Sequence, residues 1–140
     1  MGHVMYGTVL VDGAGSGPLL ISDTPLSFWG GYNQFTGEVI DRRHPLSGKI
    51  ATGCMLAIPA SRGSSTTTAV LLEAIRRGTA PSALITSQVD TFLVLASVVA
   101  DELYQKPIPI LALDAGAFKL LDSSQYAALD QGGKLTVTES

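Results

Sequence analysis

Residues 53–113 carry a strand–helix–strand–helix–strand pattern, and it restricts this chain more than any other feature. The apolar run Cys54-Met55-Leu56-Ala57-Ile58 fits one buried strand over 53–58. A helix is expected over about 66–77, with Val70, Leu71, Ala74 and Ile75 on one face by i, i+4 spacing. Arg76 and Arg77 suit its negative end, and Gly78 suits the position just past it. Ala83-Leu84-Ile85-Thr86 reads as a second buried strand. Asp90 then caps a helix on which Phe92, Leu95, Ala96, Val99, Ala100 and Leu103 line one face. Leu93, Val94 and Val98 leave little polar surface opposite, so this helix is expected to be buried on two sides, by its own domain or by a partner. Residues 108–113 supply the third strand. Strands joined in this way imply a parallel sheet with right-handed crossovers.

The flanks read differently. Val4 to Val11 is a strand broken at Gly7, followed by a loop from Asp12 to Pro18. That loop spaces glycines as Gly13-x-Gly15-x-Gly17, but a dinucleotide fingerprint needs a helix directly after them, and Pro18 with an extended Leu19-Leu20-Ile21 follows instead. Residues 26–31 and 38–41 are read as short strands around a turn at 33–37. A short helix over 114–121 and a final strand over 134–138 complete the chain. The expected fold class is therefore α/β. A parallel βαβαβ core packs with a second, mostly antiparallel β layer made by the early strands, in one domain spanning 1–140.

Composition narrows the function. A net charge of −3 gives no basic footprint for nucleic acid. The longest apolar run, Phe92 to Ala100, is far short of the roughly 20 residues a bilayer requires, and no leader peptide is expected. Cys54 is the single cysteine, which fits a reducing cytoplasm. One cysteine with His3 and His44 does not make an iron–sulfur site, which takes four ligands in the usual case. A metal, if the function needs one, comes from another chain.

Chemistry concentrates between the first core strand and its helix, in Pro59-Ala60-Ser61-Arg62-Gly63-Ser64-Ser65-Thr66-Thr67-Thr68. The first N–H groups of a helix lack intrahelical partners and the dipole is positive there, so carboxylate, phosphate or a serine oxyanion is stabilised. A cap needs one hydroxyl; a block of them beside Arg62 is more than capping requires. Arg42-Arg43-His44-Pro45-Leu46-Ser47-Gly48 is either a solvated loop or a contact to an anionic substrate or partner chain. Trp29 is read as core or as contact, the glycines after it permitting close approach of another backbone.

Several segments in order resemble the small subunit of the aconitase X family. They are Pro25-Leu26-Ser27-Phe28-Trp29-Gly30-Gly31, Thr36-Gly37-Glu38-Val39-Ile40-Asp41, His44-Pro45-Leu46, Arg62-Gly63-Ser64-Ser65 and Gly78-Thr79-Ala80-Pro81-Ser82-Ala83-Leu84-Ile85. The resemblance runs from about residue 4 to residue 113 and stops short of the C-terminal stretch. It implies a swivelling β/β/α domain like the fourth domain of aconitases, paired as a heterodimer with a large subunit that carries an iron–sulfur cluster or iron. It implies a hydro-lyase acting on a small hydroxy acid, cis-3-hydroxy-L-proline in bacteria or phosphorylated mevalonate in archaea. Gly63-Ser64-Ser65 matches the aconitase Gly-Ser-Ser-Arg run, which makes Ser64 the candidate general base. Thr66 stands where aconitase has its substrate-clamping arginine, and Arg62 is the candidate substitute. Arg62, Gly63, Ser65, Thr66 and His44 are the expected substrate-binding residues, with no metal ligand on this chain. The run after Arg62 resembles the hydroxyproline members, with phosphomevalonate dehydratase as the alternative. A non-catalytic anion-binding or regulatory module is the alternative from another class.

Overall fold

The computed structural model describes residues 2–62, 65–122 and 125–139. Strands β1 (His3–Tyr6) and β2 (Thr8–Val11) share one extended segment and part at Gly7. A Cβ at Gly7 would lie 2.6 Å from the Ala112 carbonyl oxygen, so only glycine permits this bend against the neighbouring strand. β3 (Gly15–Ile21), β4 (Met55–Ala57), α1 (Ser65–Arg77), β5 (Ala83–Thr86), α2 (Thr91–Tyr104), β6 (Ile110–Ala112), α3 (Ala115–Phe118), β7 (Gln125–Asp130) and β8 (Lys134–Glu139) follow.

All eight strands join one sheet in the order β1-β8-β7-β3-β4-β5-β6-β2. Its end strands, β1 and β2, are consecutive in sequence, so the sheet curls back on itself and is nearly a barrel. β3 is the hinge between two layers: Gly15–Pro18 pair antiparallel with β7, while Leu19–Ile21 pair parallel with β4. The expected βαβαβ core is present as β4-α1-β5-α2-β6, with β4, β5 and β6 in parallel register.

Side-chain alternation along these strands divides the interior in two. Met55, Ala57, Ala83, Ile85 and Leu111 point into the curled sheet, where they meet Leu19, Leu129, Leu135 and Val137. Leu56, Leu84 and Ile110 point the other way, toward Val70, Leu71 and Ala74 of α1 and Leu93, Ala96 and Ala100 of α2. Both faces of the parallel strands are buried, which is why they read as continuous apolar runs.

Four expectations are corrected. The second β layer is built by β1, β7, β8 and the first half of β3, not by residues 26–41. Those residues make only isolated bridges, Tyr32 to Val39 and Glu38 to Ile50, and Leu26 to Ser61. Their apolar side chains Leu26, Phe28, Tyr32, Val39 and Leu46 instead fill the helix-side core. Second, the Gly13–Pro18 loop gives way at Gly15 to β3, where a Cβ on Gly17 would collide with the Gly53 carbonyl oxygen. Third, β7 was not anticipated. Fourth, the inward face of α2 is Leu93, Ala96, Ser97 and Ala100, while Phe92, Leu95, Val98 and Leu103 are exposed. The Ser97 hydroxyl decides that orientation: it donates to the Ile108 carbonyl and accepts from the Ile108 N–H, linking α2 to the entry of β6.

Candidate functional site at the β4–α1 corner

Ligands of parallel sheets bind beyond the carboxyl ends of the strands, and the chain leaving β4 is stitched there from two sides. The Leu26 N–H donates to the Ala60 carbonyl and the Arg62 N–H to the Leu26 carbonyl, at 3.3 and 2.9 Å. On the other side the Asp90 carboxylate accepts four hydrogen bonds. One oxygen takes the Phe92 and Leu93 N–H groups at 3.1 Å each, capping α2; the other takes the Ser61 N–H at 2.7 Å and the Ser61 hydroxyl at 2.6 Å. Sequence reasoning found the cap but missed the clamp on Ser61, because hydrogen bonding between distant segments leaves no periodic signal.

α1 begins at Ser65, and its first turn contains no acidic residue to oppose an anion. Ser65 and Thr66 are exposed there, Thr67 is buried, and Thr68 donates its hydroxyl to the Phe92 carbonyl of α2 at 2.9 Å. Gly63 and Ser64, the expected glycine and general base, lie outside the described residues.

Beside the corner is a polar cavity of about 420 Å³, within the usual range for small-molecule sites. Arg62 lines it from the corner, and Asp41, Arg43 and His44 line it from the loop between β3 and β4. Among the described residues, neither arginine side chain makes an ion pair, and the carboxylate is paired to neither. The Arg43 N–H donates to Asp41 Oδ1 at 3.0 Å, and the His44 N–H to the Asp41 carbonyl at 3.1 Å, so the three residues form one fixed turn. His44 is buried. The Leu46 N–H can only donate, so His44 Nδ1 accepts from it at 3.1 Å; Nε2 then carries the proton and donates to the Thr24 carbonyl at 3.1 Å. Both ring nitrogens are thus engaged by backbone, and the ring is part of the cavity wall. The cavity brings together Arg62 and His44, two of the expected binding residues, and adds Asp41, which sequence reasoning took as the end of a strand.

An iron–sulfur cluster does not fit the donors of this chain. Cys54 is the single cysteine, and its thiol faces the Ile50 carbonyl at 3.4 Å, with burial pushing its pKa up. Among the described residues no three His, Cys, Asp or Glu side chains gather as a metal site. No helix among them is long and apolar enough to cross a membrane.

Trp29 is 69% exposed on the rim of the same loop, next to Gly30 in the left-handed region. The loop is nonetheless held on the end of α1 and the turn after it: the Tyr32 hydroxyl donates to the Thr79 carbonyl at 2.8 Å, the Thr79 hydroxyl donates to the Gln34 carbonyl at 2.6 Å, and the Arg77 guanidinium lies 4.3 Å over the Phe35 ring.

Comparison with known proteins agrees with this architecture. Cis-3-hydroxy-L-proline dehydratase of Pseudomonas aeruginosa is 48% identical over 130 residues, 93% of this chain, and that of Hypocrea jecorina is 44% identical over 131 residues, 94% of it. The chain spans only 22% of the length of either. The phosphomevalonate dehydratase small subunit of Methanothermobacter thermautotrophicus is 38% identical over 92 residues, covering 66% of this chain and 70% of that one. The crystal structure of Thermococcus kodakaraensis aconitase X in its holo-form superposes with a TM-score of 0.86 at 25% identity, covering 98% of this chain and 99% of that one. The family model of the aconitase X swivel domain matches residues 4–137, and the chain, with its curled sheet and serine corner, belongs to that family.

Proposed function

We propose that this chain is the swivel-domain part of a hydro-lyase that dehydrates a small hydroxy acid, cis-3-hydroxy-L-proline above others. The observation that carries the reading is the 44–48% identity to two dehydratases of that substrate across nearly the whole chain. Phosphomevalonate dehydratase is the second reading, favoured by the archaeal small subunits, whose identity to this chain is 28–38%.

The chemistry needs two halves. A proton leaves carbon and a hydroxyl leaves its neighbour, so a base and an acid are required. Ser64 is the proposed base. The N–H groups at the start of α1, with no acid in the first turn, would hold its oxyanion, a task such donors perform well when water is excluded. Arg62, Gly63, Ser65 and Thr66 are the proposed substrate-binding residues, with the His44 ring as the wall they bind against, and Arg62 takes the place of the arginine absent at Thr66. The acid half, together with iron or an iron–sulfur cluster, is assigned to a larger partner chain. Trp29 is the proposed anchor of that assembly, since a large exposed aromatic on a braced loop is a common energetic centre of interfaces. Residues 1–140 are taken as one domain, supported by the single continuous sheet, and the single cysteine supports a cytoplasmic setting.

Ser64→Ala tests the assignment in the enzyme assembled with its larger chain. The variant should assemble and bind substrate, yet lose about 10²–10⁴-fold in turnover and in exchange of the substrate α-proton with deuterated solvent. Wild-type turnover and exchange in that variant would place the base on the other chain.

A further inference from the structure

Three charged side chains share the cavity beside the corner without neutralising each other. Arg43 and Arg62 present guanidinium groups, and Asp41 presents a carboxylate, yet no ion pair within 4.0 Å joins them among the described residues. Asp41 Oδ1 accepts from the Arg43 N–H, and the backbone of Arg62 is tied to Leu26 on a separate segment. Oδ2 of Asp41 has no hydrogen-bond partner among the described residues. His44 lines the same cavity with both ring nitrogens engaged by backbone.

We propose that Asp41, Arg43 and Arg62 form a zwitterion subsite, in which the arginines take the carboxylate of an amino acid and Asp41 takes its ammonium. The inference rests on the dehydratase reading above and sharpens it. A cyclic amino acid carries a carboxylate and a secondary ammonium on one carbon, so it offers both charges over a short span. Asp41 is therefore the residue that rewards the ammonium of an amino acid over a neutral atom at the same place.

The test uses two inhibitors that differ at one ring atom, L-proline and tetrahydrofuran-2-carboxylate, measured on the assembled enzyme. The second keeps the carboxylate and ring shape but has an ether oxygen where L-proline has its ammonium. Wild type should prefer L-proline by about 10- to 100-fold, the worth of a charge-assisted hydrogen bond. Asp41→Asn keeps an oxygen for the Arg43 N–H and should abolish that preference by weakening L-proline alone. Arg43→Gln should weaken both compounds alike. Equal binding of the two by wild type, binding of neither, or a preference that survives in a folded Asp41→Asn enzyme overturns the subsite; the wild-type preference alone decides if that variant does not fold. Turnover of cis-3-hydroxy-L-proline is scored separately. An enzyme that prefers L-proline over the ether but does not dehydrate the hydroxylated substrate would sink the dehydratase reading and leave the subsite standing.

Discussion

Thr67 and Glu73 sit on the same helix and show opposite ways in which one side chain can matter. The Thr67 hydroxyl is buried with no hydrogen-bond partner among the described residues, in the first turn of α1. An unsatisfied buried hydroxyl costs about 1–3 kcal/mol, and valine has nearly the same shape without the polar atom. Thr67→Val should therefore stabilise the protein by about 1 kcal/mol, seen as a rise of a few degrees in thermal midpoint; a fall would mean that the hydroxyl is satisfied in solution. Glu73 instead is over-provided. Hydrogen bonds from Arg76 and Arg77 hold its carboxyl down at about 2, with contacts of 2.6 and 2.7 Å. A depressed acid stabilises the fold above its unfolded pKa, roughly 4.3, and loses that contribution as pH falls through the folded value. The thermal midpoint of wild type should exceed that of Glu73→Gln at neutral pH, converge with it between about pH 4 and pH 2, and do so sooner in high salt because the pair is exposed. A gap that persists unchanged at pH 2 contradicts the ion-pair account.

Elements are positioned here by single polar side chains at their ends. Asp90 caps α2 and, through its second oxygen, anchors Ser61 ahead of the serine corner. Asp90→Ala is expected to cost at the upper end of the roughly 0.5–2 kcal/mol range for a cap, because Ser61 loses its acceptor as well. Asp90→Asn keeps an acceptor for the α2 N–H groups and should be milder in denaturant melts. Turnover of the proposed enzyme separates the two roles: Ser61→Ala removes one bond to Asp90 without touching the cap. It should lower kcat more than it lowers stability if the clamp positions the corner. The outward face of α2 is the opposite case. Phe92, Leu95, Val98 and Leu103 are left uncovered by this chain, because Ser97 commits the helix to Ile108.

The whole molecule depends on its C-terminal hairpin. β7 and β8 contribute Ala127, Leu129, Leu135 and Val137 to the inner core and pair with β3 and β1. A chain truncated after Asp122 would expose those partners as two open edges and empty that core, so it should be recovered as aggregate rather than as a folded monomer. Soluble, cooperatively melting truncated protein would show that the parallel layer suffices alone. Trp29→Ala should leave thermal stability near wild type, as the ring is largely exposed, while weakening association with the proposed larger chain by a hot-spot loss of about 2 kcal/mol or more. Unchanged co-purification and affinity would remove Trp29 from the interface.

Local pattern was enough for the core of this protein. The alternation of apolar strands with α1 and α2, the Asp90 cap and the Gly78 helix exit are all short-range signals, and each appears where the residues place it. The family was legible too, since its motifs lie in order along most of the chain. Tertiary structure decided what depends on distant partners. Residues 26–41 have the composition of strands, but their backbone is drawn into bridges and turns because Phe28, Tyr32 and Val39 are needed in the helix-side core. α2 is apolar nearly all round, so periodicity could not choose its inward face; the Ser97 bonds to Ile108 did. Asp41 and Arg62 come from different loops, and no sequence spacing announces that they line one cavity. Only the folding of the β3–β4 loop onto the serine corner brings their charges together.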